Sequence, residues 1–161
     1  MKQKTVWKFT NQCELTALEF KRYFEKKVFA TIRKYGLLGK DRVVKLKKGE
    51  DLNTKVLKFV LEKKFSVEFG VGFSSGNLSS VAEDIFKNVL SGKFDFKGLS
   101  PGELKAPLYF LSDAEVEIYA SLCKIKGKKR KRDVKIQTLF SRFIKKNPDL
   151  ERNVVKGWGQ L

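Results

Sequence analysis

The stretch Arg42-Val43-Val44-Lys45-Leu46-Lys47-Lys48-Gly49-Glu50-Asp51-Leu52, continued by a helix-like run from Asn53 to Leu61, decides how this chain is read. An apolar strand, a tight turn and a helix in succession place free backbone N–H groups at a helix N-terminus, an arrangement that holds anions. Working turns of this kind use adjacent glycines, a small hydroxyl residue and a lysine, so that backbone and side chains close on phosphate oxygens. Across Lys47, Lys48, Gly49, Glu50, Asp51 and Leu52 a single glycine remains, and Glu50 brings negative charge where phosphate would lie. The Cβ of Lys48 also obstructs the close backbone approach that glycine permits. Taken alone, the segment is an ordinary strand-to-helix turn.

Outward from the turn, strands and helices alternate. Residues 14–35 read as an amphipathic helix, with Leu15, Leu18, Phe24, Val28 and Ile32 at helical spacing and Gly36 as its stop. Strands are expected at 42–46, at 65–73, where apolar residues alternate with small or polar ones, and at 107–111. Helices are expected at 51–61, at 78–90, after the cap Ser112 with its capping-box partner Glu115, at 134–146, and from Pro148 toward Trp158. The fold class is therefore α/β: a reduced parallel sheet of about three strands with flanking helices and a helical C-terminus. The expected organisation is a basic N-terminal helical segment (1–40), an α/β core (41–123) and a basic linker with C-terminal helices (124–161), together one compact domain.

Composition narrows the chemistry. The chain has 161 residues, enough for one domain with a real core, and its 42% hydrophobic and 12% aromatic content is that of a globular protein. Histidine is absent, which removes imidazole bases, Ser-His and Cys-His nucleophile pairs and the commonest metal ligand. The two cysteines, Cys13 and Cys123, belong to no C-x-x-C pair and read as inert thiols; no metal site is expected. No apolar run approaches the roughly 18 residues of a membrane span, and the N-terminus lacks a signal-peptide core. A cytoplasmic protein with no membrane partner is the expectation.

The net charge is +17, unevenly spread. Residues 1–48 carry 14 Lys and Arg against 4 acids, residues 124–161 carry 13 against 3, and residues 49–123 carry 8 against 11. Two basic ends around a mildly acidic centre suggest a face that meets a polyanion. The densest stretch is Lys124, Lys126, Lys128, Lys129, Arg130, Lys131 and Arg132, seven basic residues in nine. Such density gains affinity by releasing counterions from phosphates. The polar face of helix 14–35, with Lys21, Arg22, Lys26, Lys27, Arg33 and Lys34, reads equally as a solvated surface or as a second phosphate-facing surface. Trp7, Phe9 and Trp158 read as packed or terminal anchors.

Three segments in order resemble the tRNA-thiolation branch of the PP-loop ATP pyrophosphatases, the TtuA, TtcA and cytosolic thiouridylase group. Tyr23-Phe24-Glu25-Lys26-Lys27-Val28 through Ile32-Arg33-Lys34-Tyr35-Gly36-Leu37 is similar to the helix that precedes that group's first strand. The loop follows, where the family pattern S-G-G-K-D-S is replaced by Lys47 to Leu52. Ser75-Gly76-Asn77-Leu78-Ser79-Ser80-Val81-Ala82-Glu83 is similar to T-G-H-N-L-D-D-E-A, with the histidine deleted and serines for both aspartates. Ala106-Pro107-Leu108-Tyr109 with Glu115-Val116-Glu117-Ile118-Tyr119-Ala120 is similar to the third segment, and Phe143 to Leu150 with Val154 to Gly157 to the C-terminal helices.

The resemblance implies an adenine-nucleotide-hydrolase-like sheet and a C-terminal half that holds tRNA. The departures from the pattern imply a decayed nucleotide site, with no ATP, no cofactor and no catalytic residue. On this reading the chain is a pseudoenzyme: a non-catalytic subunit that binds tRNA and docks on a catalytic PP-loop thiolase paralogue. The alternative is a stand-alone basic RNA-binding protein. A residual enzyme built on Asp51 with Lys48 ranks last.

Overall fold

Thr16 and Glu19 set the start of the first long helix in the computed structural model, which describes residues 3–159. The Glu19 carboxylate accepts from the Thr16 N–H at 2.8 Å, while the Thr16 hydroxyl accepts from the Glu19 N–H. This capping box starts helix α1 at Ala17 and carries it to Lys34. Residues 14–16, expected as helix, instead form β2 (Glu14–Thr16), paired antiparallel with β1 (Thr5–Lys8). A cap residue takes extended backbone, so the chain before Thr16 is free to pair as a strand. Phe20, Phe24, Val28 and Ile32 recur every fourth residue along α1 and are buried, forming its inward stripe.

The sheet is smaller than the expected three strands. β3 (Val43–Leu46) and β4 (Ser66–Phe69) pair in parallel, and no third strand joins them among the described residues. Ser66 and Gly70 N–H groups donate to Arg42 and Leu46 carbonyls on one edge of β3. On the other edge, Phe73 donates to the Lys45 carbonyl at 2.8 Å and accepts from the Lys47 N–H at 2.9 Å. Residues 65–73 are therefore not one strand. The chain leaves β4 and crosses the end of β3 through Gly70-Val71-Gly72, and Phe73 occupies the third position with a single bridge. A Cβ on Gly72 would lie 2.1 Å from the Lys45 carbonyl oxygen, so only glycine fits the crossing.

The expected strand at 107–111 is a pair of buried turns, with Tyr109 N–H donating to Ala106 and Leu111 N–H to Leu108. Pro107 lacks a ladder donor, and a short apolar run reads alike as strand or buried turn. The remaining helices are α2 (Leu52–Leu61), α3 (Leu78–Leu90), α4 (Pro101–Leu104), α5 (Asp113–Leu122), α6 (Val134–Ile144) and α7 (Leu150–Trp158). None is long and apolar enough to cross a membrane.

Two apolar clusters result. The first joins α1, β3, α2, Phe73, Leu108, Leu111 and α5; the second joins α3, Phe96, Ala106, Tyr109, α6 and α7. Trp7 packs on Phe20 in the first, and Trp158 on Phe96 in the second, so both tryptophans act as packing anchors. Gly72→Ala is expected to cost about 3 kcal/mol or more, since the clash is with backbone. Urea denaturation checks this: the midpoint falls sharply, whereas Gly102→Ala, whose Cβ meets nothing within 4 Å, leaves it nearly unchanged.

Candidate functional site

The three segments singled out in sequence meet at one place. Asp51 is the N-cap of α2: its carboxylate accepts from the Thr54 N–H at 3.1 Å and the Thr54 hydroxyl at 2.7 Å. The Ser75 hydroxyl reaches the same carboxylate at 3.5 Å, and the Asn53 amide donates to the Ser75 carbonyl at 3.3 Å. The loop at 47–52 and the turn at 74–77 are thus in direct contact. Asn77 caps α3 in a reciprocal box with Ser80 and donates its amide to Asp113 at the start of α5. The Ser79 hydroxyl accepts from the Asp113 N–H and donates to Glu151 of α7, both at 2.9 Å. Both serines therefore bind protein groups. Gly49 is a turn glycine, since a Cβ there would sit 2.6 Å from the Asp51 carboxylate.

The linker after α5 lies across this place. The Leu52 N–H, one of the free donors at the N-terminus of α2, donates to the Lys128 carbonyl at 2.6 Å. Gly127 packs against the same turn, its Cβ position being 3.0 Å from Leu52 Cα. Two of the donors that an anion would use, the Leu52 and Thr54 N–H groups, are thus taken by the Lys128 carbonyl and the Asp51 carboxylate. Glu50 sits at the surface beside Lys55, and Lys47 and Lys48 are exposed. The backbone of Gly127 and Lys128 lies against the start of α2, on the side from which a phosphate would approach its N–H groups.

What holds the linker down is a set of ion pairs, the innermost made by Arg130. Arg130 reaches Glu83 of α3 at 3.1 Å and Asp113 of α5 at 2.9 Å, with its side chain only 14% exposed. Arg132 binds Asp113 and Glu117, and Lys129 also reaches Glu117. Burial works against the Arg130 charge, but the hydrogen bonds and charges of Asp113 and Glu83 outweigh it and hold the guanidinium protonated. Of the seven linker cations, these three are engaged within the fold. Lys124, Lys126, Lys128 and Lys131 are exposed and form no ion pair among the described residues.

On α1, Arg22, Lys26, Arg33 and Lys34 are exposed, and Lys21 is half-buried. Arg22, Lys26 and Arg33 fall on one line of the helix at about 3.6 residues per turn. Lys27 turns inward and donates to the Tyr23 hydroxyl at 3.0 Å, which itself donates to the Glu115 carboxylate at 2.7 Å. Burial lowers its pKa from the ordinary lysine value. Lys27 is thereby part of the α1–α5 contact rather than the outer cationic row. Sequence reading passed over a further cationic group, on α6 and the turn that ends it: Lys135, Arg142, Lys145 and Lys146 are all exposed. The absence of any acid between 134 and 146 is the signal that marks it.

Beside the linker's ion pairs lies a cavity of about 530 Å³ walled by Trp7, Phe9, Ser79, Asp113, Glu151 and Arg152 among others. Carboxylates outnumber cations in its lining, which disfavours a phosphate-bearing ligand. Burial raises the Glu151 carboxyl above its ordinary value, against the opposing hydrogen bond from Ser79.

No protein-family model matches the sequence, and no curated protein does. Among solved structures, the chain is similar to the U34-tRNA thiolase NcsA from Methanococcus maripaludis with its [4Fe-4S] cluster. The TM-score is 0.76 over 97% of this chain and 83% of that one, at 12% sequence identity. The chain therefore has a PP-loop tRNA-thiolase-like fold. A cluster of that kind is held chiefly by cysteine thiolates, usually four. This chain has two cysteines, Cys13 on the exposed hairpin side and Cys123 half-buried after α5, and no group of three potential ligands gathers among the described residues. Its residues do not fit the group.

Two outcomes follow from the ion pairs. Arg130→Met leaves Glu83 and Asp113 short of a partner and is expected to cost about 3–5 kcal/mol, whereas Lys131→Met stays within about 0.5 kcal/mol; paired denaturant titrations read the contrast. Because the Glu151 carboxyl binds its proton more tightly when folded, stability falls as pH rises above the ordinary carboxylate value of 4.5. Glu151→Gln is expected to remove that part of the slope and to raise the melting temperature at neutral pH.

Proposed function

We propose that the chain is a non-catalytic subunit of a tRNA-thiolating assembly, contributing tRNA binding and a docking face to a catalytic PP-loop paralogue that supplies ATP and sulfur chemistry. The observation that carries this reading is the Leu52 N–H bonded to the Lys128 carbonyl at the helix N-terminus where the resemblance puts phosphate. The fold shared with a U34-tRNA thiolase supports the tRNA connection and the wobble uridine as the position served. The free cations on α1 and α6 support contact with a polyanion.

A partnered role is favoured over a stand-alone RNA-binding module by the sheet. β4 pairs only with β3 among the described residues, and Phe69 at its end and Val71 in the crossing that follows are exposed, Val71 at 99%. An open strand edge flanked by exposed apolar side chains is a surface that a second chain covers.

The reading is tested with the full chain. Titration calorimetry is expected to show no binding of magnesium-ATP. Affinity purification from native extract is expected to recover an intact PP-loop protein together with tRNA. Saturable ATP binding, or a lone monomer that retains neither partner, overturns the proposal.

A further inference from the structure

We propose that the outer face of α6 is a seat for unpaired RNA nucleotides, with Phe143 as the stacking platform and Lys135, Arg142 and Lys146 as the phosphate contacts. The inference rests on the reading of this chain as an RNA holder and names where and in what form the RNA is held.

The face is defined by how α6 divides its apolar residues. Ile136 and Phe140 are buried against the second cluster, with Phe140 on Phe86 of α3 at 5.2 Å between ring centroids. Leu139 and Phe143 belong to the adjacent line of the helix and remain outside, Phe143 at 54% exposure. At about 3.6 residues per turn, Lys135 and Arg142 lie along the next line of α6, beside Leu139, and Lys146 follows Phe143 in the turn after the helix ends at Ile144. All three are exposed and form no ion pair among the described residues. The flanking acids are engaged: Asp149 lies 3.7 Å from Arg152, and Asp133 is turned into the helix start, accepting from the Lys135 and Ile136 N–H groups and pairing with Lys87. Those backbone hydrogen bonds hold its carboxyl below the ordinary range.

An exposed aromatic ring bordered by cations matches the chemistry of a single strand: bases stack on the ring while phosphates meet the charges. Duplex RNA offers no free base face, so the ring distinguishes unpaired nucleotides from a stem. A lipid surface fits less well. A helix lying in a bilayer interface submerges its whole apolar face, and here Ile136 and Phe140 are already buried in the protein. The linker at 124–132 has the higher charge density, but its two arginines are engaged with carboxylates and it presents no exposed ring.

The test uses the full chain and two fluorescein-labelled RNAs, a hairpin with an unpaired loop and the blunt duplex of the same stem. Phe143→Ala is expected to weaken hairpin binding about tenfold while leaving the duplex unchanged. Phe143→Trp is expected to restore the hairpin. Replacing Lys135, Arg142 and Lys146 together with Gln is expected to weaken both RNAs and to flatten the slope of log affinity against log salt by about 2. Circular dichroism checks that each variant stays folded. Hairpin binding that ignores both sets of changes overturns the assignment of this face and leaves the RNA-holding reading intact. Binding of neither RNA by the unsubstituted chain overturns both. Binding of phosphatidylserine vesicles that Phe143→Ala abolishes, with RNA binding unaffected, assigns the face to a membrane and overturns the proposal.

Discussion

The buried guanidinium of Arg130 constrains everything around the turn at 47–52. A charge with so little exposure has to be paired, and the partners within reach are Glu83 on α3 and Asp113 on α5. Meeting both fixes the two helices relative to each other and pins the linker between them. With Arg130 anchored, the three residues before it are drawn across the start of α2, where Gly127 admits close contact and Lys128 offers its carbonyl to Leu52. The closed turn is thus a consequence of an ion pair formed elsewhere, rather than of the turn's own residues.

Much of the architecture was legible in the sequence because its signals are local. The inward line of Phe24, Val28 and Ile32 on α1 and the Ser112–Glu115 capping box depend on residues within four positions of one another, whereas Leu18, expected on that line, is exposed. The small sheet was not legible for the same reason. Val43-Val44 and the 65–73 run each carry strand character, but whether a third strand completes the sheet depends on where Phe73 lands after the crossing. The Pro107 to Leu111 run is apolar because it is buried, and burial alone does not distinguish a strand from consecutive turns.

The candidate site was partly legible. Sequence order placed the altered positions of the loop and the serine turn in one pattern, and the fold brings them into contact through Asp51 and Ser75. The fate of individual cations was hidden. Arg130 and Lys131 are neighbours of the same chemical type, yet one is enclosed by carboxylates 17 and 47 residues distant and the other faces water. Lys27 and Lys26 divide in the same way on α1. Density of positive charge in a sequence therefore overstates the surface available to a polyanion wherever a mildly acidic centre can fold against it.

The two apolar clusters impose a further consequence, concerning how the molecule opens. The seam between them, from Arg130 and Arg132 to Asn77, is built around the carboxylates of Glu83, Asp113 and Glu117, whereas each cluster is sealed internally by apolar contact. Acid weakens charge pairing far more than hydrocarbon packing. Under those conditions α3, α6 and α7 would part from the first cluster as a cooperative unit before either core melts, and amide hydrogen exchange would divide the chain into two blocks along that line.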